Sequence, residues 1–259
     1  MPEPLDILQQ YWGYSAFRPL QEDIIRSVLE GHDTLALLPT GGGKSICFQV
    51  PALCREGICV VVSPLIALMK DQVYHLQARG IAAEAVYSGM GRKDIDRILD
   101  NCVYGKTRFL YLSPERLTTE LARERIKRMP VNLLAVDEAH CISQWGYDFR
   151  PPYLLIDEIR EFLPDVPVLA LTATATAEVV VDIQEQLGFR QQRVFQKSFA
   201  RDNLAYVVLQ EEAKENKLVD ILQKVPGSSV VYVRSRRKTR EIAETLRRHQ
   251  ISAGYYHAG

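Results

Sequence analysis

Residues 38–50 read Leu-Pro-Thr-Gly-Gly-Gly-Lys-Ser-Ile-Cys-Phe-Gln-Val, with three glycines set between an apolar run and a helix-forming one. Residues 34–38 have the pattern of a short buried strand and Ile46 onward that of a helix, so the chain must turn sharply between them. After Thr40, the residues Gly41, Gly42 and Gly43 let the backbone aim its N–H groups inward and approach an anion closely. The helix that follows points its positive end at the same place. Lys44 adds a point charge for outer phosphates, and the Ser45 hydroxyl is placed to ligate Mg²⁺. The stretch reads as a phosphate-binding loop that departs from the full Walker spacing at Leu38, where glycine is usual.

The same strand-then-helix grammar recurs along the chain. Strands are expected at 58–62, 85–87, 108–112, 131–136 and 166–171, and helices at 5–11, up to Glu30, 65–79, 92–103 and 177–187. Residues 58–62 are too continuously apolar to be half exposed, as in a covered parallel sheet. Ser63-Pro64 and Ser113-Pro114 each follow a strand and read as a capping serine with proline at the first helical position. This alternation specifies α/β architecture, an open parallel sheet with helices on both faces. Ligands of such sheets bind at the carboxyl ends of the strands. Residues 188–203 break the pattern, with 201–203 read as loop. A second unit then starts, with strands expected at 204–209, 229–233 and 253–257 and helices at 214–224 and 236–249. Three strands close a core poorly, so 204–259 is expected to be the beginning of a second domain and 1–200 the first.

Lysine plus arginine and aspartate plus glutamate balance at 32 each, so net charge selects no partner. The five cysteines (Cys47, Cys54, Cys59, Cys102 and Cys141) are scattered without a Cys-x-x-Cys pair, as expected of reduced, mostly buried thiols. No apolar run approaches about 18 residues and the amino terminus lacks a basic-then-apolar signal, so a soluble cytoplasmic protein with no membrane partner is expected.

Asp137-Glu138-Ala139-His140 follows a buried strand. Asp137 at that strand's end, beside the loop, is suited to holding Mg²⁺, and Glu138 to orienting and deprotonating an attacking water. Directly after His140 the chain reads Cys-Ile-Ser-Gln-Trp-Gly-Tyr-Asp-Phe-Arg-Pro, in which Trp145 and Phe149 offer flat faces for unpaired bases and Arg150 a charge for phosphate. By itself this stretch also fits a hydrophobic loop tucked under a helix. Upstream, Tyr14, Phe17, Arg18 and Gln21 also fit an ordinary helix-entry segment.

Together these segments resemble the RecQ family of superfamily 2 helicases, whose RecA-like fold is the α/β arrangement above. The resemblance runs from about Leu5 to Gly259. It implies that Tyr14 stacks on adenine while Arg18 and Gln21 contact its edge and nearby atoms, within an ATP site of Thr40, Gly41, Gly42, Gly43, Lys44 and Ser45. Lys44, Asp137 and Glu138 are the implied catalytic residues, with Mg²⁺ on Ser45 and Asp137. Ser63 and Pro64, with Ser113 and Pro114, are the implied grips on single-stranded DNA. His140, Gln144, Trp145, Phe149 and Arg150, with Thr172 and Thr174, carry DNA contact and its coupling to ATP. Residues 230–236 resemble the fourth motif and 255–259 the approach to the fifth. Tyr147 stands where histidine is usual in the family, and Pro152 where an acidic residue is. The implied activity is ATP-driven 3′–5′ translocation on single-stranded DNA with unwinding of duplexes, in repair and recombination. The implied partners are single-stranded and partly duplex DNA, plus a single-stranded-DNA-binding protein met through regions beyond Gly259. An arginine finger, zinc module and winged helix are expected beyond the same point. Two other readings stand beside this: a fragment that binds ATP and single strands with little turnover, and an RNA helicase or remodeller.

Overall fold

The computed structural model describes residues 1–146, 148–198 and 204–257. The chain divides into two compact units, Met1–Ala200 and Arg201–Gly259.

In the first unit seven parallel strands form one sheet: β1 (Thr34–Leu37), β2 (Ile58–Val62), β3 (Ala83–Val86), β4 (Phe109–Leu112), β5 (Val131–Val136), β6 (Val168–Thr172) and β7 (Arg193–Gln196), in the order β3-β4-β2-β5-β6-β1-β7. Helices α1 (Pro4–Trp12), α2 (Gln21–Leu29), α3 (Lys44–Cys54), α4 (Ile66–Gln77), α5 (Arg92–Tyr104), α6 (Glu120–Ile126), α7 (Leu155–Arg160) and α8 (Ala177–Gln186) complete it.

Side chains alternate across each strand, and the two core clusters follow that period. Leu35, Leu37, Val60, Val62, Leu134 and Val136 point to one face, packed with Ile98 of α5, Ile126 of α6, Ile159 of α7 and Ile183 of α8. Ala36, Cys59, Val61, Phe109, Leu133 and Ala135 point to the other, against Ile24 of α2, Phe48 of α3 and Met69 of α4. Coverage of both faces explains why the strands are apolar throughout rather than alternating. All five cysteines are buried free thiols. Among the described residues no helix is long and apolar enough to cross a membrane.

β7 lies inside the stretch read as a break. It pairs only with β1, and three of its four residues are exposed, so an edge strand there carries no apolar run. Neither serine–proline pair caps a helix through its side chain. α4 starts at Ile66 behind Leu65, and Pro114 opens a 3₁₀ turn that runs to Thr118.

The second unit pairs α9 (Lys214–Lys224) with α10 (Arg236–Arg248), burying Val219 against Ile242 and Leu246. Ser235 caps α10, accepting from the Lys238 N–H at 3.3 Å. The strands expected at 204–209, 229–233 and 253–257 are not formed, and no ladder exists among described residues 204–257. Apolar composition is not enough, because a strand is defined by paired backbone groups. Val208 and Tyr232 are 96% and 92% exposed, so burial supports no pairing here. The expected loop at 201–203 and the last two residues of the 255–259 segment lie outside the described residues.

Candidate active site

Because the strands are parallel, their carboxyl ends share one edge of the sheet, where the glycine loop after β1, Ser63 after β2, Asp137-Glu138 after β5 and Thr172 ending β6 lie. The Leu38 N–H donates to the Thr172 carbonyl at 3.1 Å, and the Asp137 N–H to the Val62 carbonyl at 2.8 Å. The loop after β1, the carboxylates after β5 and the threonine ending β6 are thereby fixed in register.

The loop is clasped by the segment before α2. The Arg18 guanidinium donates to the Gly41 carbonyl at 2.6 Å, and the Gln21 amide to the Gly43 carbonyl at 3.0 Å. Gln21 in turn accepts from the Arg18 N–H at 2.8 Å and is buried. The two side chains expected at a base edge therefore hold the carbonyls of the glycine loop and leave its N–H groups uncontacted by them. Tyr14, 55% exposed, lines a cavity of about 440 Å³ together with Trp12, Arg18, Gln21, Gly43 and Ser45. That volume suits a small organic ligand. A Cβ on Gly43 would lie 2.4 Å from the Gln21 amide nitrogen, and Gly43 has φ +80°. Gly43→Ala is expected to displace Gln21 at a cost of about 1–3 kcal/mol, lowering the calorimetric unfolding midpoint by several degrees.

Asp137 sits just past β5 with two donors, the Glu138 N–H at 3.0 Å and the Ser63 hydroxyl at 3.4 Å. Ser63 thus reaches the carboxylate in place of a helix end. Burial, then the neighbouring charge of Glu138, push the Asp137 carboxyl up to about 6, while the Lys44 charge pulls it down. Lys44 and Asp137 therefore share one electrostatic site. A buried carboxylate beside a second carboxylate, with so few donors, has the character of a divalent-cation ligand, and Ser45, which follows Lys44, lines the cavity that Tyr14 lines. Glu138 adopts a left-handed backbone, φ 48°. Such strain costs about 1–3 kcal/mol and persists where the surroundings fix it.

His140 Nδ1 lies 2.9 Å from the Thr172 hydroxyl and 3.4 Å from Glu138. Thr172 is buried and accepts from the Thr174 N–H at 3.2 Å. The carboxylate segment is therefore joined to the end of β6 through Thr172, with Thr174 contributing its backbone. Thr176 caps α8, accepting from the Val179 N–H at 3.4 Å.

The aromatic stretch leaves this site at once. The Arg150 N–H donates to the Cys141 carbonyl at 2.8 Å and pins the two ends of the loop together. Between them Gln144 is exposed, Trp145 is 80% exposed and Phe149 is half-buried. Trp145 is thus presented to solvent rather than tucked under a helix. Arg150 contacts Asp148 at 3.4 Å. Tyr147 lies outside the described residues. Ser113 is buried, and its hydroxyl has no hydrogen-bond partner among the described residues.

Four further residues support the site. The Tyr153 hydroxyl, fully buried, donates to the Asp137 carbonyl at 2.9 Å and fixes the turn that carries the carboxylates. Gln72 donates to the Ser45 hydroxyl at 2.8 Å, and Gln49 donates to the Gln72 carbonyl at 3.0 Å. Gln49 also lies 3.3 Å from the Tyr111 hydroxyl.

Sequence comparison settles the family, since residues 18–183 match the DEAD/DEAH box helicases. The chain belongs to the DEAD/DEAH box helicase family. Within it, the chain is 40% identical over 259 residues to the ATP-dependent DNA helicase RecQ of Haemophilus influenzae, covering all of this chain and 42% of that protein. It is 43% identical over 256 residues to the RecQ of Bacillus subtilis, covering 98% of this chain and 43% of the relative. Among solved structures, a Mycobacterium smegmatis helicase, Lhr, bound to single-stranded DNA and AMP-PNP, superposes with TM-score 0.66 at 18% identity, over 98% of this chain and 38% of the other. The chain spans about two-fifths of the length of the RecQ relatives it matches, and it aligns with their helicase region. Family members use ATP.

Proposed function

We propose that this chain is the ATP-binding part of a RecQ-type 3′–5′ DNA helicase, in which residues 1–200 form the first RecA-like lobe and 204–259 begin a second. The observation that carries this reading is that Lys44, opening α3 after β1, and Asp137, following β5, lie at the carboxyl edge of one parallel sheet, with the exposed Trp145 eight residues further along the chain. Thr40 to Ser45 cradle the phosphates and Lys44 neutralises the outer ones. Tyr14 stacks on the base, with Arg18 and Gln21 turning from the loop carbonyls toward it. Glu138 orients the water that attacks the outermost phosphorus and accepts its proton. Mg²⁺ would be held by Ser45 and Asp137 and would neutralise charge building on the phosphate oxygens.

Single-stranded DNA runs over Ser63, Pro64, Ser113 and Pro114, with bases on Trp145 and Phe149 and phosphate on Arg150. A base on Trp145 is felt at Glu138 through His140 and Thr172. Trp145→Ala is expected to weaken binding of a fluorescent single-stranded DNA about 5- to 150-fold, the value of one base–aromatic stack of about 1–3 kcal/mol, and to leave nucleotide affinity within about twofold. Unchanged DNA affinity contradicts the stacking role. Competition between matched DNA and RNA strands separates this reading from an RNA helicase, which binds RNA at least as tightly.

A second reading applies to residues 1–259 alone. They bind ATP and single strands with little turnover, because the second unit carries no ladder among its described residues. Substantial strand separation by residues 1–259 overturns that reading.

A further inference from the structure

Gln72 sits in the middle of α4, the helix that follows the Ser63-Pro64 turn, and its amide donates to the Ser45 hydroxyl at 2.8 Å. Its own carbonyl accepts from Gln49 of α3 at 3.0 Å, and Gln49 contacts the buried Tyr111 hydroxyl on β4, the strand leading to Ser113, at 3.3 Å. Gln49 is 4% exposed and Tyr111 2%, so these groups have little water to exchange with and hold one another in place.

A serine hydroxyl has one hydrogen and two lone pairs. Gln72 occupies one lone pair, which fixes the rotor and leaves the other lone pair for a cation. The two helices differ in how firmly they are held. α3 buries eight of its eleven residues, whereas α4 buries only Met69 and Leu76. A change at Ser45 therefore meets a fixed helix on one side and a lightly anchored one on the other.

We propose that Gln72 is a positioning residue that holds the Ser45 hydroxyl for a nucleotide-bound divalent cation and passes that occupancy to α4. The inference rests on the nucleotide reading above and adds a path from the phosphate loop to the helix behind the Ser63-Pro64 turn. Supporting groups of this kind set the orientation of a metal-binding side chain, and their loss commonly costs about 10- to 100-fold in cation affinity.

The test uses residues 1–259 with a fluorescent, non-hydrolysed ATP analogue, in Mg²⁺ and in EDTA. Gln72→Met keeps the volume and removes the amide, Gln72→Ala removes both, and Lys44→Ala reports on the nucleotide site itself. The ratio of affinities with and without Mg²⁺ is expected to fall about tenfold or more in both Gln72 variants, with EDTA affinity within about twofold of wild type. Amide exchange across 66–77 is expected to slow when wild type takes up the Mg²⁺–nucleotide but not in Gln72→Met, while 40–46 is protected in both. An unchanged Mg²⁺ ratio with unchanged α4 protection overturns the proposal. So does an equal loss in Mg²⁺ and EDTA, or a Gln72→Met variant that simply melts several degrees lower, since each marks a packing role. If wild type binds no nucleotide, or Lys44→Ala binds as wild type does, the nucleotide reading falls and takes this proposal with it. That outcome is visible without any Gln72 variant.

Discussion

Lys44→Ala is expected to weaken binding of a triphosphate nucleotide to residues 1–259 by about 10- to 150-fold. One charge-assisted contact to phosphate contributes about 1.5–3 kcal/mol, and the variant deletes that contact while leaving the loop N–H groups in place. A second loss compounds the first. The Lys44 charge opposes the burial and the Glu138 charge that push the Asp137 carboxyl up to about 6, so removing it raises that carboxyl further and leaves it a poorer cation ligand at neutral pH. Fold stability is expected to stay near wild type, because Lys44 is half-buried and no part of the core. Equilibrium titration of a fluorescent ATP analogue, paired with a thermal melt, separates the two effects.

Asp33→Ala is expected to produce the reverse pattern, a large loss of stability with nucleotide affinity retained in the folded fraction. Asp33 is fully buried ahead of β1 and ties three strand starts together. It accepts from the Val168 N–H opening β6 at 2.9 Å, from the Arg190 N–H ahead of β7 at 3.0 Å, and from the Arg160 guanidinium at 3.0 Å. Truncation leaves Arg160, 9% exposed, without its counter-charge. Breaking a buried pair from one side costs about 3–5 kcal/mol, which for a domain of this size lowers the unfolding midpoint by roughly 10 °C. The contact lies at the amino ends of the strands, the opposite edge from the phosphate loop.

The pH dependence of that contribution has a definite sign. Burial alone pushes the Asp33 carboxyl up, but donors from Arg190, Val168 and Arg160 outweigh it and hold the group below its ordinary value. A lowered folded-state value means the stabilisation is complete above the unfolded-chain value of about 4 and is lost as pH falls through the folded one. Wild type should therefore lose stability on acidification below about pH 4 by more than Asp33→Ala does, as denaturant melts at a series of pH values would register.

Much of this molecule is legible in the residue order because its sheet is covered on both faces. Each inner strand is an apolar run, and a run such as 58–62 has no other place to go. β7 escaped because an edge strand of Arg-Val-Phe-Gln pairs on one side only and stays largely exposed. That the glycine loop and Asp137-Glu138 lie at strand ends was legible because an apolar run precedes each of them. The present partners of Arg18 and Gln21 were not, since nothing in their spacing tells a contact with a base from a contact with the Gly41 and Gly43 carbonyls. Gln49, Gln72, Tyr111 and Tyr153 come from four separate elements, and only the folded sheet brings them to the site. The second unit shows the converse. Its 229–233 stretch has the composition of a buried strand, yet Val230 is 78% exposed, because composition supplies a tendency and pairing supplies the strand.

The central claim is that nucleotide turnover at Lys44, Asp137 and Glu138 answers to a DNA strand lying on Trp145. Its most direct test is the ATPase rate of the protein, titrated with single-stranded DNA in wild type and in Trp145→Ala. Stimulation is expected to be saturable in wild type, and in the variant strongly reduced or absent with the unstimulated rate preserved. A rate indifferent to DNA in wild type, or full stimulation without the Trp145 indole, would contradict it.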